Sequence, residues 1–151
     1  MSGETRRIRG LYRLEREDLI SGRKWDNAIV RNAHFSIDIH NPDGSGQAEN
    51  QTNSEIQGTA VRVQPYDIPL TCAIPLKVEG LLVAGRCISG SHDAHASYRV
   101  QNICLATGAG VGTVAAVSLQ DNVAVAEVDI KKVQQVLFGE SEIGVAAARF
   151  E

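Results

Sequence analysis

Residues 81–95, LLVAGRCISGSHDAH, pass within a few positions from wholly apolar to small and polar side chains. Leu81 to Gly85 show no alternation and are bounded by turn formers, the pattern of a short strand buried on both faces in the middle of an α/β sheet. Beyond Gly85 stand Arg86, Cys87, Ser89, Ser91, His92, Asp93 and His95, too many hydrogen-bonding groups to bury without partners. Open α/β sheets bind ligands just beyond the carboxyl ends of their strands. The stretch therefore reads either as the rim of a site or as a polar surface loop.

Downstream, NICLATGAGVGTVAAVSLQDN (102–122) is the longest helical candidate, with Asn102 as its cap. Its glycines, Gly108, Gly110 and Gly112, each cost up to about 1 kcal/mol against alanine in a helix interior, so something must offset them. Gly108 and Gly112, four apart with Thr107 and Ala115 or Ala116 nearby, put a bare stripe on one face. Either a sheet or a ligand can lie against such a stripe. DIKKVQQVLFG (129–139) is a short helix capped by Asp129, with Ile130, Val133 and Leu137 on its apolar face and Gly139 as its stop.

Upstream, the chain is mostly extended. RRIRGLYRL (6–14) reads as a strand with a charged face, and EREDLISG (15–22) as one or two helical turns stopped by Gly22. In the second half of residues 25–40, Phe35, Ile37 and Ile39 alternate with Ser36, Asp38 and His40, which predicts a half-buried antiparallel strand. Residues 41–59 hold almost no apolar side chain and read as a long loop. Pro65, Pro69 and Pro75 break residues 60–76 into short extended pieces. The expected fold is α+β, with strands over residues 1–76 and a strand-loop-helix unit over 77–151.

With 151 residues, 43% of them hydrophobic, the chain has room for one domain with a core. A net charge of −3, from 15 basic and 18 acidic residues, argues against nucleic acid as a partner. Cys72, Cys87 and Cys104 are odd in number and form no CxxC pair, which points to a reducing, cytoplasmic setting without a disulfide framework. No apolar run approaches the roughly 18 residues a membrane span needs, and no membrane is expected as a partner.

His92 and His95 with Asp93 between them have ligand chemistry but no third ligand at a defined spacing, so no metal is expected. The same shortage applies to His34, Asp38 and His40. Cys87 beside His92 has no specific nucleophile-base spacing. Arg99 stands just ahead of a helix start, whose free N–H groups favour anions; it reads as an anion-binding residue or as a surface arginine paired with a carboxylate.

YDIPL (66–70), the stretch from Val78 to Ala116 and VDIKKVQQVL (128–137) resemble the C-terminal portion of FAD-dependent oxidoreductases of the glutathione-reductase type. RRIRGLYRLEREDLISG (6–22) and FSIDIHNPDG (35–44) match the same pattern, so the resemblance covers nearly the whole chain in order. It implies that Leu81 to Gly85 is a strand returning to the FAD-binding domain, with Gly85 and Arg86 beside the ribityl or phosphate part of FAD and Ser89 in the polar loop facing the cofactor. It implies too that Val100, Gln101 and Asn102, at the helix start, stabilise negative charge on the reduced flavin. His92, His95 and Arg99 become the candidates for proton transfer and anion recognition in hydride exchange with a small-molecule substrate.

The family's GxGxxG fingerprint opening a helix after a strand is absent from these residues. The expectation is a fragment whose partner is an N-terminal FAD-binding segment or subunit, and little or no FAD binding by this chain alone. The alternative is a non-catalytic assembly module, a homo-oligomer or a piece completing another subunit.

Overall fold

The computed structural model describes residues 6–39 and 61–139 of the chain. In order it forms helix α1 (Arg16–Ser21), strands β1 (Ala28–Ala33) and β2 (Tyr66–Pro69), and 3-10 turns at Leu70–Cys72 and Gly85–Cys87. Helices α2 (His92–Tyr98), α3 (Gln101–Asp121) and α4 (Ile130–Phe138) follow. The fold is α+β, as the sequence predicts. The loop expected at 41–59, and His40 with it, lies outside the described residues.

Local chemistry sets the helix ends. In α1, Glu15 and Asp18 close a reciprocal capping box, and Gly22, at φ 65°, ends the helix in the left-handed conformation. Ser91 caps α2 by accepting the Ala94 N–H, and Asp129 caps α4 by accepting that of Lys131. α3 has no such side chain. Its N-cap is Val100, and Asn102, expected as the cap, sits inside the first turn with Oδ1 accepting the Ile103 N–H.

β1 and β2 pair antiparallel, with Ala28 opposite Pro69, Val30 opposite Ile68 and Ala33 opposite Tyr66. The strand lies earlier than the alternation at 35–39 indicated. Asn32, at φ 55°, interrupts β1, where its N–H donates to the buried Asp67 carboxylate. Past that irregularity Phe35 is exposed, and Ile37 makes only an isolated bridge to Val61. Residues 6–14 likewise form no continuous strand. They thread between two segments, bridging Pro75 from Gly10 and Gly90 from Leu14.

The buried strand expected at Leu81–Gly85 is not formed. Leu81 is 45% exposed, residues 82–84 are half-buried and irregular, and Gly85 opens a 3-10 turn. A central strand exists only between neighbours, and among the described residues the sheet is β1 and β2 alone. Val83 donates its N–H to the Ala73 carbonyl, a loop contact.

The core gathers Leu14, Leu19, Ile29, Tyr66, Ile68, Ile88, Tyr98, Val114 and Val133. α3 packs on β1 through Gly110, not through the expected stripe: Gly110 is buried, whereas Gly108 and Gly112 face open space with nothing within 4 Å of a Cβ built there. Leu105 and Leu119 share that outer side, 67% and 82% exposed. The expectation that no apolar run is long enough for a membrane also needs correction. By length and composition α3 is such a run, and 33% of its most apolar window is buried inside the protein.

Candidate functional site

The Gly85–Cys87 turn and the first two turns of α3 form one local unit. Gly85 has φ 68°, a conformation that L side chains rarely adopt, and a Cβ added there would meet only the Cβ of Cys104, at 3.9 Å. Glycine is required here by its dihedral angles rather than by crowding. Its N–H donates to Thr107 Oγ1 at 2.8 Å, and the same hydroxyl donates to the Cys104 carbonyl at 2.8 Å. Burial pushes the Cys104 thiol above its ordinary pKa, while the Arg86 guanidinium draws it down and Cys87 adds to the rise. Arg86 and Cys87 are thus within electrostatic reach of the α3 start, and both are exposed.

Two tyrosines tie the neighbouring segments, Ile88 after the turn and Ser97 of α2, to the core. The Tyr98 hydroxyl donates to the Ile88 carbonyl at 3.1 Å, and that of Tyr66 shares a hydrogen bond with Ser97 at 2.9 Å. The Ser97 hydroxyl also donates to the Phe35 carbonyl. Burial raises the Tyr66 pKa to about 12, with the Ser97 bond opposing, and raises that of Tyr98 further.

The structure brings Gly85 and Arg86 against the helix that begins with Val100, Gln101 and Asn102, the last two exposed. It does not bring Ser89 to the same surface. Ser89 is 2% exposed, its N–H bonded to the Cys72 carbonyl and its own carbonyl accepting from Leu14. The residues expected at the chemistry are dispersed. His92 is exposed at the start of α2, while His95, 1% exposed, stands edge-on to the Tyr98 ring at 5.3 Å. Arg99 donates to the Asp38 carbonyl at 2.8 Å, tying the α2–α3 corner to the 35–39 segment. Sequence reasoning gave Thr107 no role of its own. No local signal singles it out, since the same helix also carries Thr113 and Ser118.

Among the described residues, no group of three or more His, Cys, Asp or Glu side chains converges as a metal site would. A groove of about 420 Å³, walled by Leu11, Ile74, Leu76, Val78 and Val125 among others, carries none of the expected site residues.

The arrangement suits an anionic or electron-accepting ligand. The N–H groups of the α3 start lie at the positive end of the helix dipole without a side-chain cap from Val100, that of Ile103 being held by Asn102 Oδ1, and left-handed backbone bare of Cβ lies one packing contact away. A family model described as FAD dependent oxidoreductase matches residues 3–137. No curated protein and no solved structure matches the chain.

Proposed function

Because the chain belongs to the FAD dependent oxidoreductase family, we propose that it is the C-terminal portion of a glutathione-reductase-type flavoenzyme. Gly85, Arg86, Val100, Gln101 and Asn102 are its share of the flavin seat. The observation that carries this reading is the bare Gly85 turn packed beside a helix start with no side-chain cap. Those residues fit the cofactor: the glycine admits a flat group close to main chain, and the positive end of the α3 dipole favours negative charge. When bound, FAD takes up or gives back the hydride exchanged with a small-molecule substrate.

The chain's own part is electrostatic and positional. The dipole of α3 and the Arg86 guanidinium favour extra electron density at the helix start. A proton donor or base must come within hydrogen-bond reach of the substrate. Of the three candidates, exposed His92 is the best placed; Arg99 serves the corner and His95 the core.

Two surfaces support the fragment reading. The apolar Leu81–Ala84 segment is irregular and partly exposed, without a strand beside it among the described residues, and the outer side of α3 presents Leu105, Gly108, Ala109, Gly112, Ala116 and Leu119. A segment or subunit carrying the Gly-rich fingerprint covers them. Titration of the 151-residue chain with FAD, followed by flavin absorbance and fluorescence, then gives little binding, and joining the fingerprint segment restores one flavin per protein. Stoichiometric flavin in the isolated chain overturns the fragment reading, and no flavin in the joined protein overturns the seat.

The same exposed α3 side favours a second reading, a non-catalytic module that self-associates. Light scattering separates the two: a stable oligomer of this chain together with a flavin-free longer protein supports the second.

A further inference from the structure

We infer that Thr107 is the positioning residue that sets the spacing between the Gly85 turn and the start of α3; this deepens the flavin reading and rests on it. Thr107 is 1% exposed and lies two turns into the helix. Its hydroxyl acts in both directions, donating to the Cys104 carbonyl one turn earlier and accepting the Gly85 N–H from a segment 22 residues away in sequence. A threonine hydroxyl offers one donor and two acceptor lone pairs, so donation along the helix leaves an acceptor free for the turn.

Thr113 provides the comparison within the same helix. Its hydroxyl donates to the Ala109 carbonyl at 3.0 Å, an ordinary local bond of a helical threonine. The Thr107 hydroxyl adds a bond that leaves the helix. The N–H it holds belongs to the one residue of the turn with left-handed backbone, so a single hydroxyl ties Gly85 at a set distance to the helix that begins with Val100, Gln101 and Asn102. Gly110, less than one turn on, seats the same helix on Ile29. The turn, the helix start and the sheet thus share one rigid reference, and a flavin seat divided between the turn and the helix start depends on it.

The experiment has two arms. In the isolated chain, amide hydrogen exchange followed by NMR is predicted to show a protected Gly85 N–H. In Thr107→Val, which keeps the shape and deletes the hydroxyl, that amide exchanges at least about tenfold faster, and in Thr107→Ser it stays near wild type. An unprotected Gly85 amide in the wild type, or equal protection in Thr107→Val, overturns the clamp, and the wild-type measurement stands even if the valine variant does not fold. In the longer protein that binds FAD, Thr107→Val is predicted to raise the flavin Kd about tenfold and shift the flavin absorbance band, with both restored in Thr107→Ser. Unchanged Kd and spectrum in Thr107→Val overturn the positioning role. A wild-type longer protein that binds no flavin overturns the underlying reading instead, while the exchange arm still decides the clamp.

Discussion

Gly110 of α3 lies directly against Ile29 of β1: a Cβ on Gly110 would stand 2.8 Å from the Ile29 carbonyl oxygen and 2.9 Å from the Ile29 Cβ. One is a backbone atom and the other a Cβ fixed directly by the backbone, and neither can swing aside. Gly110→Ala is therefore expected to destabilise the chain by about 1–3 kcal/mol, the cost of forcing extra volume into a packed contact. Gly108→Ala and Gly112→Ala, which face open space in the same helix, are expected to be neutral or to gain up to about 1 kcal/mol from helix propensity. Urea unfolding of the three variants checks the ordering.

Gly85→Ala separates site from fold. At φ 68° an alanine is strained by roughly 1–2 kcal/mol, yet its Cβ meets only the Cys104 Cβ at van der Waals distance. The variant is expected to fold, with a small drop in Tm, and to weaken flavin binding in the longer protein by more than that drop accounts for. Thermal unfolding and flavin titration on one preparation provide the comparison.

Asp18 is buried and accepts from the Tyr12 hydroxyl at 2.8 Å, the Glu15 N–H at 2.9 Å and Arg23 at 3.0 Å. Asp18→Ala strands those donors around α1, and a loss of about 2–4 kcal/mol is expected. Asp18→Asn keeps an acceptor and is expected to lose less. Chemical denaturation distinguishes the two.

Burial raises the Tyr66 pKa from 10.0 to about 12, against a smaller lowering by Ser97, and raises the Cys72 thiol from 9.0 to about 12. Both groups hold their protons more tightly in the folded chain than in the unfolded one. Their contribution is complete below pH 9 and is lost as pH rises toward 12, at up to about 1.4 kcal/mol per pH unit for each group. Circular dichroism is expected to show alkaline unfolding in that window, coincident with tyrosinate absorbance. Tyrosinate formation well before loss of ellipticity would contradict the buried placement.

α1, α4 and their glycine stops were legible because capping and turn chemistry act over three or four residues. The packing face of α3 was not. Its residues are small or apolar on nearly every side, so periodicity alone could not select Gly110 over Gly108 and Gly112. The apolar run at Leu81–Gly85 misled for another reason: a central strand is defined by neighbours, and a local pattern records burial without saying what supplies it. At the candidate site, Gly85 and Arg86 were singled out through the resemblance, at the end of a strand that does not form. The Thr107 link was not, since a bond between positions 85 and 107 leaves no local signature.

Hydrogen-exchange mass spectrometry of the longer protein with and without FAD tests most directly whether the turn and the helix start share one flavin. Peptides covering residues 84–91 and 99–104 are expected to become protected together when flavin binds. Protection confined to other segments, with these two unchanged, contradicts a shared seat.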